Sequence, residues 1–250
     1  MGLKKGGVIS LVGAGGKTSM MFRLARELSR QGVAVLTTTT TKIYMPTRQQ
    51  SSAVIVAEGA KAVLRQAKTL LRCHRHISAG SRILPFQNKL KGFAPDVIDD
   101  IWQSGIFRWI IVEADGAAQH SLKAPGDYEP VIPAAASLVI PVVGIDALGE
   151  TLGRVVFRPE IASRLLGVSL MATITPEIVA SLVTAKSGIA KGSPVGARII
   201  PLINKVDVAG GLEKGRLVAK AIIDKAFPKI EEVVLGHVGR EEAVVEVVRR

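Results

Sequence analysis

Six residues near the start of the chain, Gly13-Ala14-Gly15-Gly16-Lys17-Thr18, stand between an apolar run, Val8 to Val12, and a helical pattern that begins at Ser19. The order strand, glycine loop, Lys-Thr, helix narrows the fold sharply, because it is the corner at which α/β proteins hold phosphate groups. Glycines let backbone N–H groups turn onto an anion, and the helix N-terminus adds partial positive charge. This makes Gly13, Ala14, Gly15, Gly16, Lys17, Thr18 and Ser19 candidates for holding a nucleotide. Lys17 would reach the β- and γ-phosphates, and Thr18 would offer its hydroxyl to Mg²⁺. One position departs from the G-x-x-x-x-G-K-[ST] pattern: Leu11 stands where the first glycine belongs. A plain strand–turn–helix corner has a similar composition, so the rest of the chain has to decide.

The chain has 250 residues, room for a substantial core in a single domain spanning 1–250. Hydrophobic residues make up 48% and aromatics only 4%, so the core must be built from Val, Ile, Leu and Ala. Such a diet suits parallel strands covered by helices on both faces. A lone cysteine, Cys73, excludes an internal disulfide and fits a reducing, cytoplasmic setting. Lys4 and Lys5 precede an apolar run, but Gly13 to Lys17 interrupt it, which argues against a signal peptide. The most apolar stretch, Val131 to Ile145, contains Pro133 and Pro141 and falls short of the roughly 20 residues of a membrane span. The net charge of +12 is concentrated early, since residues 1–75 hold thirteen Lys and Arg against Glu27 and Glu58. That balance can attract nucleotides or acidic partners. The scarcity of aromatic rings for base stacking disfavours nucleic acid.

Helical spacing runs through Met20, Met21, Leu24, Ala25 and Leu28 and ends at Gly32. Strands are expected at Val33 to Thr37, Ala53 to Ala57, Ile106 to Val112, Leu138 to Val143, Arg198 to Ile203 and Glu232 to Leu235. Helices are expected at Lys61 to Arg72, Pro95 to Gln103, Pro159 to Leu166, Pro176 to Ala185, Leu212 to Ala226 and Glu241 to Val248. Alternating strands and helices imply a three-layer α/β fold with a mostly parallel sheet.

Trp109 to Val112 leads into Glu113-Ala114-Asp115-Gly116, an apolar strand delivering carboxylates to its C-terminal edge, where open parallel sheets bind ligands. Glu113 or Asp115 would hold Mg²⁺ directly or through water, and the other would orient the attacking water. Asn204-Lys205-Val206-Asp207 follows a second apolar strand. Its N-K-x-D order resembles the guanine-reading element of GTP-binding proteins, in which the aspartate accepts from the ring N–H and amine. Thr37 to Thr41 and Lys42 close the second expected strand. Thr39, Thr40, Thr41 and Lys42 are candidate switch contacts, against the plain alternative that threonine favours strands. Cys73, His74 and His76 have no partner cluster in the sequence and read as a solvated helix end. Lys123 and Glu129 lie on a Pro-rich loop just past the carboxylates. Such a stiff loop either senses the γ-phosphate, contacts a client, or is a rigid turn.

Together, Val12 to Thr18, Thr37 to Lys42, Glu113 to Gly116, Leu122-Lys123-Ala124-Pro125, Glu129 to Pro133 and Asn204 to Asp207 resemble the YqeC family over most of the chain. Members are named as accessory proteins of selenium-dependent molybdenum hydroxylases or as selenium cofactor biosynthesis proteins. The resemblance implies a P-loop NTPase fold, and a loop in which Leu11 ends the strand while Gly13, Gly15 and Gly16 form the cradle. It also implies Mg²⁺ with GTP or ATP as cofactors, and a client hydroxylase or cofactor-assembly protein as partner. Ser121 and Tyr128 depart from the family pattern, which often has proline and histidine there. Three functions fit: an NTPase switch with GTP favoured over ATP, a kinase acting on a cofactor precursor, and a non-hydrolysing nucleotide- or nucleic-acid-binding module.

Overall fold

The structure, a computed structural model, describes residues 6–250. In chain order, β1 (Gly7–Gly13) is followed by α1 (Lys17–Arg30), β2 (Val35–Thr39), β3 (Lys42–Tyr44), β4 (Val54–Val56) and α2 (Ala60–Leu70). Next come β5 (His76–Gly80), β6 (Arg82–Leu84), β7 (Lys89–Lys91), α3 (Pro95–Gln103), β8 (Trp109–Glu113), β9 (Leu122–Lys123) and β10 (Ala136–Gly144). The rest is α4 (Leu152–Val155), β11 (Val156–Phe157), α5 (Pro159–Leu166), α6 (Pro176–Thr184), β12 (Arg198–Ile199), β13 (Leu202–Asn204), α7 (Gly211–Asp224), β14 (Glu232–Gly236) and β15 (Val244–Arg249).

The main sheet runs β15-β14-β13-β10-β1-β8-β2-β5-β4, with β12 beside β10. Its pairings are parallel except β14 with β15. Alternate residues of the central strands go to opposite faces. Ile9, Leu11 and Ile111 pack with Met20, Met21 and Leu24 of α1. Val8, Ile110 and Val112 pack with Val63 of α2 and Ile98 of α3, while Val12, Val139 and Val143 meet α6 and α7. The α/β fold expected from the sequence is therefore present, with α1 on one face and most of the other helices on the opposite one.

Register brings the ligand-bearing positions to one edge. Leu11 and Thr39 both pair with Glu113, Gly13 pairs with Val142, and Gly144 pairs with Asn204. Parallel strands end together, so the glycine loop, the acidic strand end and the Asn204 turn share the C-terminal rim.

Several expectations are corrected. The segment expected as a helix from Glu241 to Val248 contains the edge strand β15, antiparallel to β14 with Val247 opposite Val234. Its four valines fall at helical spacing, but their β-branching and the partner strand β14 favour the strand. The expected strand Arg198 to Ile203 is split into β12 and β13. Pro201 has no N–H for the ladder. β2 begins at Val35, two residues later than expected, and so carries Thr37 to Thr39 inside the strand. His76 opens β5 rather than ending a helix, and burial lowers its pKa to about 4. Cys73 is exposed, His74 meets Ser52, and no group of three or more His, Cys, Asp or Glu that could hold a metal occurs among the described residues. No helix among them is long and apolar enough to cross a membrane.

Candidate functional site

β1 does not end at Leu11. That side chain is fully buried against α1, and the strand runs on to Gly13. The turn into α1 is left with Ala14, Gly15 and Gly16. Gly15 has φ +84, and a Cβ there would overlap the Gly144 backbone nitrogen. Gly16 has φ +129 and lies against the Asn204 amide, so both positions need the conformational freedom and the slimness of glycine. The close approach of the turn to the end of β10 explains why the glycines cluster late, while position 11, still inside the strand, holds a core leucine.

Three loop amides assigned to an anion are engaged within the chain. Gly13 N–H donates to Asp115 Oδ2 at 3.0 Å, Ala14 to Val142 O at 2.9 Å and Gly15 to His120 O at 2.9 Å. The amides that face outward are those of the first turn of α1, where a helix has no internal acceptors. No side chain caps this end and no acidic residue lies in its own first turn; the carboxylates beside it, Glu113 and Asp115, come from the neighbouring strand. Ser19 is exposed at this end.

Beneath the turn lie the charged groups. Lys17 is buried, donates to Gly13 O and stands 3.1 Å from Asp115 Oδ1. Thr18 Oγ1 donates to Glu113 Oε2 at 2.7 Å. Lys123 Nζ lies 3.0 Å from Asp115 Oδ2 and donates to Glu129 Oε2 at 2.8 Å. Glu113 and Asp115 thus converge on the glycine corner, although the strand ends between them. Burial pushes the Glu113 carboxyl above its ordinary pKa, against the opposing pull of the Lys17 ammonium and the Thr18 hydroxyl. Although burial acts the other way, hydrogen bonds from Arg158 and Lys123 hold Glu129 below its ordinary value.

The Glu113 shift has a measurable consequence. An acid that holds its proton more tightly when folded lowers stability as pH climbs from the ordinary carboxylate value through the folded one. Glu113→Gln keeps an acceptor for Thr18 and removes the charge. It should flatten this fall and raise stability at neutral pH, read by urea unfolding between about pH 5 and pH 8. A variant with an unchanged pH slope would contradict the assignment.

Asn204 is buried and ties three segments together: Nδ2 donates to Gly15 O at 2.8 Å, and Oδ1 accepts from Val238 N–H at 3.0 Å. Lys205, at φ +66, reaches Ser121 Oγ and Asp146 Oδ2, both at 2.8 Å. Asp207 is exposed and accepts from Arg240 Nε at 3.0 Å, which lowers its pKa. The threonine run is stitched into the sheet. Thr39 Oγ1 donates to Glu113 O and Thr40 Oγ1 to Val131 O, while Thr41 Oγ1 contacts Thr39 Oγ1. Lys42 is exposed on β3 and meets Gln87.

Sequence reasoning missed Arg158, whose guanidinium grips Glu129 at 2.6 and 3.1 Å from 29 residues away. It missed Asp146 and Ser121 as well, which line a cavity of about 270 Å³ with Gln119, His120 and Arg154. Their distances in sequence left no spacing to read; the parallel pairing of β1 with β10 and the bonds of Gly15 N–H to His120 O and Gly144 N–H to Ser121 O bring them to the loop.

The family model described as YqeC protein matches residues 9–160. The YqeC protein of Escherichia coli (strain K12) is 36% identical over 210 residues, covering 81% of this chain and 77% of that one. Among solved structures, signal recognition particle 54 kDa protein from Aeropyrum pernix K1, in complex with GDP, aligns with 99% of this chain and 44% of its own at 16% identity and TM-score 0.39. FtsY from Mycoplasma mycoides aligns with 97% of this chain and 65% of its own at 12% identity and TM-score 0.40. The chain therefore spans less than two thirds of either solved protein. Matched by the family model over more than half its length and by a relative over most of it, the chain belongs to the YqeC family.

Proposed function

We propose that this chain is a Mg²⁺-dependent nucleoside triphosphatase, favouring GTP over ATP, whose hydrolysis serves as a conformational switch. Its place would be the maturation of a selenium-dependent molybdenum hydroxylase or of that enzyme's cofactor. The observation that carries the nucleotide reading is the uncapped start of α1 with Lys17 and Thr18 set directly over Glu113 and Asp115. Lys17 would bind the β- and γ-phosphates, and the first-turn amides of α1 would hold their oxygens.

The residues also fit Mg²⁺. Thr18 and Glu113 already meet at 2.7 Å, the buried Asp115 Oδ1 has the Lys17 ammonium as its ion-pair neighbour at 3.1 Å, and the donors are all oxygen, as a hard cation prefers. Thr18, Glu113 and Asp115 are the residues that would hold the ion. When bound, Mg²⁺ supplies charge neutralisation to the transferring phosphoryl group. Glu113 or Asp115, whichever does not take the ion directly, would orient the attacking water.

The GTP preference rests on Asn204 to Asp207. Asn204 braces the loop, and Asp207 stands at the same rim with one oxygen on Arg240. Asp207→Asn should weaken GTP by about 10-fold or more and favour xanthosine triphosphate, because it exchanges a charged acceptor for an amide. Unchanged base preference would make this segment a structural brace only.

A second reading, phosphoryl transfer to a small acceptor, is favoured by the polar cavity at Ser121 and Asp146 beside the loop. Calorimetry with ATP and GTP in Mg²⁺, together with phosphate release, tests both readings. Free phosphate without a phosphorylated acceptor supports the triphosphatase. Absence of binding to either nucleotide overturns the proposal.

A further inference from the structure

A lysine ammonium is almost never fully enclosed unless it is paired. Lys123 is 0% exposed, and its three N–H groups face Gly116 O at 2.5 Å, Glu129 Oε2 at 2.8 Å and Asp115 Oδ2 at 3.0 Å. Buried ion pairs add little net stability over apolar packing, so satisfaction alone does not account for placing this charge here. Its location is more telling. One carboxylate, Asp115, is shared among the Gly13 N–H, Lys17 and Lys123, within 3.1 Å of each. Two of those three donors belong to the phosphate loop. The arrangement is an anion site filled from inside the chain by Asp115, whose Oδ1 faces Lys17 and whose Oδ2 faces Gly13 N–H and Lys123.

The charge line continues outward from Lys123. Glu129 Oε2 is shared between Lys123 and Arg158, which also donates to Oε1 and whose side chain is 32% exposed. Lys123 on β9 is in register with Phe157 on β11, and that ring lies under both cations, 5.6 Å from Lys123 and 4.9 Å from Arg158. Five alternating charges, Lys17, Asp115, Lys123, Glu129 and Arg158, therefore connect the glycine corner to the surface.

We infer that Lys123 is a second phosphate lysine, which contacts the terminal phosphate of a bound nucleoside triphosphate and reports it to the surface through Glu129 and Arg158. The inference rests on the nucleotide reading above. A phosphate beside Lys17 competes with Asp115 for both ammonium groups, since it offers more charge and more acceptor oxygens. Lys123 then loosens from Glu129, which is left to Arg158. A diphosphate that ends short of Lys123 leaves the line intact.

The test measures dissociation constants of ATP, ADP, GTP and GDP with Mg²⁺ on the full chain. Wild type is compared with Lys123→Met, Lys123→Arg and Lys17→Met, with thermal melting as the check on folding. Lys123→Met leaves Asp115 with Lys17 and Glu129 with Arg158, so each carboxylate keeps a cation. It should weaken the preferred triphosphate about 10-fold or more while leaving the matching diphosphate within about threefold. Lys123→Arg should keep part of the preference, and Lys17→Met should lose both ligands. Equal loss of tri- and diphosphate, or no loss, overturns the role of Lys123 and leaves the nucleotide reading standing. A wild-type chain that binds none of the four overturns both. Should Lys123→Met unfold, Arg158→Gln at the exposed end carries the test. Freed from Arg158, Glu129 holds Lys123 more firmly, so the triphosphate preference should drop by about threefold, and an unchanged ratio overturns the relay.

Discussion

Gly15→Ala should destabilise the protein by about 2–5 kcal/mol, combining a left-handed backbone at a non-glycine residue with overpacking against main chain. The cause is local and specific. Gly15 has φ +84, its hypothetical Cβ overlaps Gly144 N, and the Ser121 carbonyl lies 3.0 Å away. Neither neighbour is a flexible side-chain end. Gly144 is in β10 and its N–H donates to Ser121 O at 2.8 Å, so relief would require moving a central strand or breaking that bond. The same shift would carry Lys17 off Asp115 and should weaken any nucleotide by about 10-fold or more, as displacement of a positioning group does. Gly116→Ala is the matched control. It meets open space, its φ is not in the left-handed range, and it should stay within about 0.5 kcal/mol of wild type. Urea unfolding of both variants decides the matter, and a Gly15→Ala protein as stable as the Gly116→Ala control would show that the loop is looser than its packing indicates.

Asp115→Ala should cost about 3–5 kcal/mol, the usual penalty for stranding buried charge. Its carboxylate is the shared partner of two almost fully buried ammonium groups and of the Gly13 N–H. Lys123 would keep Glu129, but Lys17 would be left with the Gly13 carbonyl alone. Asp115→Asn preserves an acceptor without the charge and should fall between alanine and wild type. Because the vacated space is lined by two cations and an N–H, an added anion should recover part of the loss. Inorganic phosphate at about 100 times its dissociation constant would return about 2.7 kcal/mol. Unfolding curves with phosphate and with chloride at matched ionic strength separate specific occupancy from screening. Equal recovery in both salts would argue against an anion site.

How far the chain could be read varied with the separation of its partners. The corner from Val8 to Ser19, the strand leading to Glu113 and the turn at Asn204 were legible because each is a local pattern: an apolar run followed by residues that only a strand end or a helix start explains. Helix α3 was legible to the residue, since Pro95 opens it at a position where a missing N–H is harmless. Glu241 to Val248 was misread as a helix because its valine pairs have helical spacing, and the choice was made by β14 as a partner strand. The small sheet β3-β7-β6 was invisible, because three-residue strands depend on their pairing rather than on intrinsic preference.

Sequence alone determined that this chain has an α/β sheet whose C-terminal rim carries a glycine turn, Lys17, Thr18 and two carboxylates. Local propensity and strand-end chemistry suffice for that. Tertiary structure decided how those groups are used. It extended β1 past Leu11, turned three loop amides inward, drew the threonine hydroxyls into the sheet, and set Asp115 between Lys17 and Lys123 with Arg158 behind. Asn204, bonded to Gly15 from 189 positions away, shows how far such contacts reach. A buried charge or N–H must find its partner wherever the fold brings one within reach, and no spacing along the chain records that choice.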